Sequence, residues 1–158
     1  MGVAKKKYRL LTEDTITVGD RCLYRIQALC DFANVKEGEL GGYIEREENL
    51  SQHGNCWVFG NAKVFDEALV SDDAKVMDNV RVSGNAWVFG NTKVFDNAWV
   101  FGNAIVFGDA KVFGNAEVFD NALVFGNAKV FENALVFGSA GVFGNALVYE
   151  NAWVYGDA

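Results

Sequence analysis

Proline, histidine and long apolar runs are scarce in this 158-residue sequence, which contains no proline and a single histidine, His53. Gly, Asn or Asp interrupts the chain every few positions, so no run approaches the roughly 18 apolar residues that a membrane-spanning helix needs. No apolar segment follows Lys5, Lys6 and Lys7, which argues against a signal peptide. We therefore expect no membrane association and a cytoplasmic location.

Cysteine and positive charge are also limited. Cys22, Cys30 and Cys56 form no CxxC pair and cannot all be bridged, which favours a reducing compartment. The formal net charge of −7 makes nucleic-acid binding an unfavoured function. No glycine-rich loop ending in Lys-Ser or Lys-Thr is present, so no phosphate-binding loop is predicted. We expect no cofactor and no metal.

Apolar residues are abundant, at 51%, and charged residues make up 22%, so the chain can bury a core and is not disordered throughout. Its unusual numbers are 17 glycines and 13 phenylalanines. Both come from a six-residue repeat that begins at Gly54 and continues without a slip. A small residue recurs from Cys56 to Ala158, a valine recurs from Val58 to Val154, and an aromatic ring usually follows the valine.

The repeat unit Val-Phe-Gly-Asn-Ala-x predicts a short strand followed by a corner. Small-x-Val alternates with period two, which places the small residue and the valine on one face of a strand. Gly and Asn both tolerate a positive φ, which is typical of a corner. A strand and a corner every six residues suit neither helices nor hairpins, and they indicate a solenoid.

The unit resembles the hexapeptide repeat, aliphatic-Gly-x-x-small-x, of left-handed parallel β-helix proteins, a superfamily that includes acyltransferases. Here Phe often stands where many members carry Gly. The resemblance implies an all-β triangular solenoid with three hexapeptides per coil, and with the valine and the small residue inside. The units also resemble those of hypothetical proteins from bacterial prophages and phages. The superfamily fold hosts enzymes and inert scaffolds alike, so it does not decide the function.

Residues 1–50 lack the period and predict a β-rich segment that caps residues 51–158, the β-helix. Short strands are predicted at residues 8–11, 16–18 and 22–29, an irregular coil at 35–44 and a solvated loop at 45–49. A cap is expected because a bare terminal coil would present unpaired strand edges. A separate ligand-binding role for this segment is the alternative.

Catalytic residues are hard to find in this sequence. Acyltransferases that the chain resembles carry a catalytic His and a long loop between hexapeptides, whereas His53 precedes the first regular unit and no insertion follows Cys56. One histidine also cannot supply the three metal ligands of carbonic anhydrase-like members. We therefore favour a non-enzymatic protein with no catalytic residue, and an acyl- or acetyltransferase is the alternative.

An 18-residue period sorts the outward side chains into three faces. We name them the lysine face, the mixed face and the uncharged face. The lysine face consists of Trp57, Lys75, Lys93, Lys111, Lys129 and Leu147. The mixed face consists of Lys63, Arg81, Trp99, Glu117, Leu135 and Trp153. The uncharged face consists of Leu69, Trp87, Ile105, Leu123 and Gly141.

The lysine column, Lys75, Lys93, Lys111 and Lys129, supports two interpretations. The favoured one pairs three of these lysines with Asp78, Asp96 and Glu132, each three residues later, as weak exposed ion pairs. The alternative is an anion-binding site, in a phage counter-defence protein that sequesters a nucleotide signal.

The uncharged face predicts a contact surface. Aromatic columns that stabilise the strand register flank it, and this much outward apolar area indicates a partner. The apolar strip consists of Leu69, Trp87, Phe89, Ile105, Phe107, Leu123 and Phe125.

We therefore expect a scaffold or binding protein of phage type that self-associates through this strip and presents it to a host or phage protein. A trimer is favoured, because the resemblance suggests packing about a three-fold axis, and a dimer is the alternative. A competing contact is an open C-terminal edge near Trp153 and Tyr155, where end-to-end stacking would complete a strand ladder.

Overall fold

A computed structural model describes residues 5–158, which form β-strands and one short 3₁₀ helix and contain no α-helix. The longer elements come first: β1 (Tyr8–Val18), β2 (Arg21–Ala28), β3 (Leu40–Ile44) and the 3₁₀ helix (Glu47–Asn49). Seventeen two-residue strands follow, one in each hexapeptide: β4 (Trp57–Val58), β5 (Lys63–Val64), β6 (Leu69–Val70), β7 (Lys75–Val76), β8 (Arg81–Val82), β9 (Trp87–Val88), β10 (Lys93–Val94), β11 (Trp99–Val100), β12 (Ile105–Val106), β13 (Lys111–Val112), β14 (Glu117–Val118), β15 (Leu123–Val124), β16 (Lys129–Val130), β17 (Leu135–Val136), β18 (Gly141–Val142), β19 (Leu147–Val148) and β20 (Trp153–Val154).

Each short strand pairs in parallel with the strand one coil, or 18 residues, away. β4, β7, β10, β13, β16 and β19 form the lysine face, and β6, β9, β12, β15 and β18 form the uncharged face. The mixed face is continuous with the N-terminal strands, in the order β1-β2-β3-β5-β8-β11-β14-β17-β20. The prediction of an all-β triangular solenoid with three hexapeptides per coil is confirmed.

The interior of the solenoid is filled as predicted. The small residues from Cys56 to Ala140 and the valines from Val58 to Val148 are buried. Thr92 is the one polar side chain at a small position, and its hydroxyl donates a hydrogen bond to the Phe89 carbonyl at 2.8 Å. Because the hydroxyl has this partner, it does not impose the free-energy penalty of an unsatisfied buried group.

Only the first of the two predicted corner residues uses a positive φ. Gly and, in seven corners, Asp or Glu adopt it, with Asp96 at 62° and Gly102 at 65°, whereas no corner Asn does. The asparagines instead join successive coils: Asn85 Nδ2 donates to Asn103 Oδ1 at 3.2 Å, and Asn103 Nδ2 donates to Asn121 Oδ1 at 3.2 Å. The expectation that the corner Asn adopts a positive φ is therefore wrong, and its contribution is the side-chain hydrogen bond to the next coil.

The N-terminal segment covers the first coil by supplying its missing backbone donors. β1, β2 and β3 form an antiparallel sheet, and β3 then pairs with β5 in parallel. The Tyr43 N–H donates to the Ala62 carbonyl, and the Glu45 N–H donates to the Val64 carbonyl, as a preceding coil would. These bonds satisfy carbonyl groups that would otherwise be left unpaired at the end of the ladder.

Two details of this segment differ from the sequence-based expectation. β1 is one strand through residues 12–15, where it bulges against β2, rather than two short strands. Asn49, placed by the sequence in a solvated loop, is fully buried. Its Nδ2 donates to the carbonyls of Asp66 and Ala68, and its Oδ1 accepts from the backbone N–H of Arg46 at 2.8 Å. A side chain with four donor and acceptor sites is needed here because the chain offers no strand at this position.

Ion pairs hold the same segment to the first coil. Arg21 contacts Glu45 at 3.1 Å and Asp66 at 3.1 Å. Burial acts to raise the pKa of Glu45, but the Asp66 N–H and the Arg21 guanidinium outweigh it and hold the pKa of that carboxyl below its ordinary value. Glu45 therefore remains ionised and links β3 to the solenoid.

Candidate binding surfaces

The uncharged face forms an in-register column of apolar side chains. Leu69 pairs with Trp87, Trp87 with Ile105, and Ile105 with Leu123. Trp87 and Leu123 are exposed by 42% and 37%, and no charged side chain occupies this face. The structure therefore places the strip residues side by side, as the period predicts.

Stacked rings border this column. The Phe89, Phe107 and Phe125 rings lie nearly parallel, with centroids 5.1 and 4.9 Å apart. The Trp87 ring leans against Phe89, at 4.5 Å between centroids. Because ring faces meet along the column, part of the aromatic surface is already used to fix the coil register, and ring edges and the Trp87 indole remain outward.

The lysine column is also in register, since Lys93 pairs with both Lys75 and Lys111, and Lys111 with Lys129. The predicted ion pairs to Asp78, Asp96 and Glu132 are wrong. Every ion pair in residues 5–158 lies in or next to the N-terminal segment, and none involves these four lysines.

The corner acids have another role. Asp78 Oδ2 accepts a hydrogen bond from the Asp96 N–H at 2.9 Å, and Asp96 Oδ2 accepts one from the Gly114 N–H at 3.0 Å. Asp66, Asp72 and Asp120 bond the next coil in the same way. Each of these aspartates thus links two coils through the backbone, and charge-assisted bonds of this kind are stronger than neutral ones.

Two shallow clefts run along the lysine column. One, of about 390 Å³, lies toward Asp73 and Asp109, and the other, of about 340 Å³, lies toward Met77 and Phe95. The second cleft combines three ammonium groups with an apolar wall. The clefts bring together Lys75, Lys93 and Lys111 of the residues named for the anion-binding alternative, whereas Lys129 lines neither cleft. The first cleft also places two carboxylates beside these lysines.

The comparisons with known proteins agree with this architecture. The YdcK β-solenoid repeat matches residues 142–156. The chain is also 39% identical over 74 residues to "Uncharacterized acetyltransferase YdcK" of Escherichia coli (strain K12), an alignment that covers 42% of this chain and 23% of that protein. The chain is an all-β parallel solenoid built from hexapeptide repeats, and both matches support its similarity to left-handed β-helix proteins with such repeats. It spans about a quarter of the length of the curated relative it matches.

His53 is the one histidine with which this hexapeptide-repeat protein could perform acid–base chemistry. It is exposed and lines a cleft of about 320 Å³ together with Glu47, Glu48, Ser51 and other residues. Among residues 5–158, no three His, Cys, Asp or Glu side chains come together as a metal site. The three cysteines are free thiols, and burial raises the pKa of Cys56. A raised pKa makes a thiol a poor nucleophile.

The residues near the C-terminus belong to the same columns. β20 pairs with β17, and the Tyr155 ring stacks on Phe137 at 5.2 Å. Trp153 and Tyr155 are exposed by 64% and 58%. No helix in residues 5–158 is long and apolar enough to cross a membrane.

A polar contact that the sequence does not predict lies under the N-terminal segment. Lys7 is only 5% exposed and donates hydrogen bonds from Nζ to the carbonyls of Cys56, at 2.7 Å, and Gly54, at 3.2 Å. Burial lowers the pKa of Lys7 below its ordinary value. Lys5, Lys6 and Lys7 look alike in the sequence, so no local pattern identifies the buried one.

Proposed function

We propose that this β-helix is a non-enzymatic scaffold that self-associates and presents its apolar strip to a protein partner. The observation that carries the proposal is the strip itself, an uncharged in-register column with Trp87 and Leu123 exposed beside stacked rings. An apolar surface this continuous is typical of protein contact sites.

The first partner we propose is another copy of the chain, as a trimer or a dimer, and the second is a host or phage protein. A phage or prophage origin, in the host cytoplasm, completes the proposal. It is supported by the resemblance of the Gly-Asn-Ala-x-Val-aromatic units to those of phage proteins, and the gene neighbourhood tests it.

Charging the strip tests the proposal directly. We expect Trp87→Glu with Ile105→Lys to lower the particle mass to that of one 17.3 kDa chain, with an unchanged β-type circular dichroism spectrum. Both side chains point outward, so the charges enter the contact without touching the interior. The mass is measured by light scattering in about 1 M salt, where the screening length is roughly 3 Å and apolar contacts dominate.

A matched control exists on the mixed face, because Trp99 is exposed by 42%, as Trp87 is. Trp99→Glu with Leu135→Lys introduces the same two charges there and should leave the mass unchanged. Equal loss of assembly in both variants, or in neither, would contradict the assignment to the strip. Loss of assembly on Tyr155→Lys would instead show that the contact lies at the C-terminal edge.

The second candidate function is acetyl transfer, and the match to a relative named an acetyltransferase favours it. It requires His53 as general base in the cleft with Glu47 and Ser51. If the scaffold proposal holds, the full chain should release no more thiol from acetyl-CoA with a panel of amine and hydroxyl acceptors than His53→Ala does. Turnover that His53→Ala abolishes, with the fold intact, would establish the enzyme instead.

A further inference from the structure

One corner of the solenoid carries positive, apolar and negative columns side by side. The ring column stacks Phe95 on Phe113 at 4.7 Å, Phe113 on Phe131 at 4.9 Å, and Phe131 on Tyr149 at 5.4 Å. In each coil the lysine column precedes the rings. The acidic column follows them and consists of Asp78, Asp96, Glu132 and Glu150, with Gly60 and Gly114 in the remaining coils.

The two charged columns do not neutralise each other within the chain. The lysines stand opposite one another in adjacent parallel strands, and like charges so placed repel and destabilise a sheet. Asp78 and Asp96 lie at the corner, where one carboxylate oxygen of each accepts a hydrogen bond from a backbone N–H of the next coil. Within residues 5–158, no ion pair involves either column, so both charges remain available to a partner along this side of the prism.

We propose that two copies of the chain pair side by side and in parallel, about a two-fold axis that runs along the ring column. Because this axis is parallel to the solenoid, each coil of one copy lies level with the same coil of the other. The axis also exchanges left and right across the ring column. The lysine column of each copy then faces the acidic column of the other. Lys75 meets Asp78 of the second copy, Lys93 meets Asp96, and Lys129 meets Glu132, with the half-buried rings Phe95, Phe113 and Phe131 between them.

A second copy of the chain fits this surface better than an anionic ligand such as a nucleic acid does. Positions in both columns repeat at the strand spacing of roughly 4.8 Å, with Gly60 and Gly114 as uncharged members of the acidic column, and a second solenoid of this kind shares that spacing coil for coil. A nucleic acid bound to the lysines would lie next to the acidic column, which repels phosphate. An apolar centre between charged margins is also the usual anatomy of a protein interface.

The charges select the parallel arrangement. A two-fold axis perpendicular to the solenoid would place lysines opposite lysines and acids opposite acids. Charge complementarity fixes orientation in this way because like-charge contacts oppose the wrong pairing. The contact uses a different side of the prism from the apolar strip, so it goes beyond the proposed function.

The particle mass tests the pairing once the strip contact is removed. In a Trp87→Glu, Ile105→Lys background at low salt, we expect twice the 17.3 kDa chain mass, and Lys93→Glu with Lys129→Glu should reduce it to one chain mass. The matched control is Lys63→Glu with Arg81→Glu, which makes the same charge change on the mixed face and should leave the pair intact. A single chain mass in the background protein, or equal loss in both reversed variants, would overturn the proposal.

Disulfide trapping tests the orientation, with Cys22 and Cys30 replaced by serine and the buried Cys56 retained. A mixture of Lys129→Cys and Glu132→Cys proteins should form a covalent dimer of two different chains in mild oxidant. Lys129→Cys alone should cross-link at least tenfold less, because its counterpart lies across the axis. Equal cross-linking of Lys129→Cys with itself would show that the two Lys129 positions lie opposite each other, and it would overturn the proposal.

Discussion

Replacing Ala104 with leucine should lower the free energy of unfolding by about 1–3 kcal/mol or more, because the side chain enters a filled interior. Ala104 is fully buried, and its backbone is fixed on both sides. Its N–H donates to the Phe101 carbonyl at 3.3 Å, and its carbonyl accepts from the Trp87 N–H at 3.0 Å. The strand cannot move outward to admit three more carbon atoms without breaking the ladder.

The measurement is the thermal midpoint, which shifts by roughly 2–4 °C per kcal/mol for a chain of this size. Lys111→Ala is the control, since it shortens an outward side chain in the next hexapeptide and should change stability by less than about 0.5 kcal/mol. A midpoint for Ala104→Leu equal to that of the parent chain would show that the small position does not face the interior.

The interior and the columns could be predicted because every hexapeptide has the same spacing of its small residue, its valine and, in most units, its aromatic ring. A valine and a small residue two positions apart share one face of a strand, and seventeen repetitions in register leave only one surface for both. Phe107 and Phe125 stack for the same reason, since equal positions in successive coils lie one strand spacing apart.

The ion pairs could not be predicted from spacing, because Asp96 has a nearer partner than Lys93. The Gly114 N–H of the next coil lies 3.0 Å from its carboxylate, and Phe95 stands between the two charged residues in the chain. A backbone donor held by the ladder costs no side-chain entropy to reach, whereas an exposed lysine must be ordered to make a pair that contributes little. The sequence shows the charges but not this competition.

The N-terminal segment was hardest to predict, since its contacts join residues far apart in the chain. Tyr8 donates from its hydroxyl to the Leu50 carbonyl at 2.6 Å, and Lys7 reaches Cys56 across 49 positions. Such contacts follow no period. They exist because the first coil needs hydrogen-bond donors, and the chain supplies them from whichever side chains the antiparallel sheet brings close.

Replacing Lys7 with methionine should therefore destabilise the protein by roughly 2–6 kcal/mol, since it leaves the Gly54 and Cys56 carbonyls unsatisfied at about 1–3 kcal/mol each. Methionine is similar in length and retains the apolar packing, so the loss reports the hydrogen bonds. The matched control is Lys6→Met, because Lys6 is half-exposed and pairs with Glu47 at the surface. That change should cost less than about 1 kcal/mol.

The pH dependence of the difference between parent and Lys7→Met gives an independent test. Burial lowers the pKa of Lys7 below 10.5, so the unfolded chain binds this proton more tightly than the folded one. The cost of burying the charge is present in full below the folded-state pKa. It is relieved as the pH rises from that value toward 10.5. The stability advantage of the parent over Lys7→Met, measured by denaturant unfolding, should therefore grow with pH in that window, and a constant advantage would show that the Lys7 ammonium is not buried.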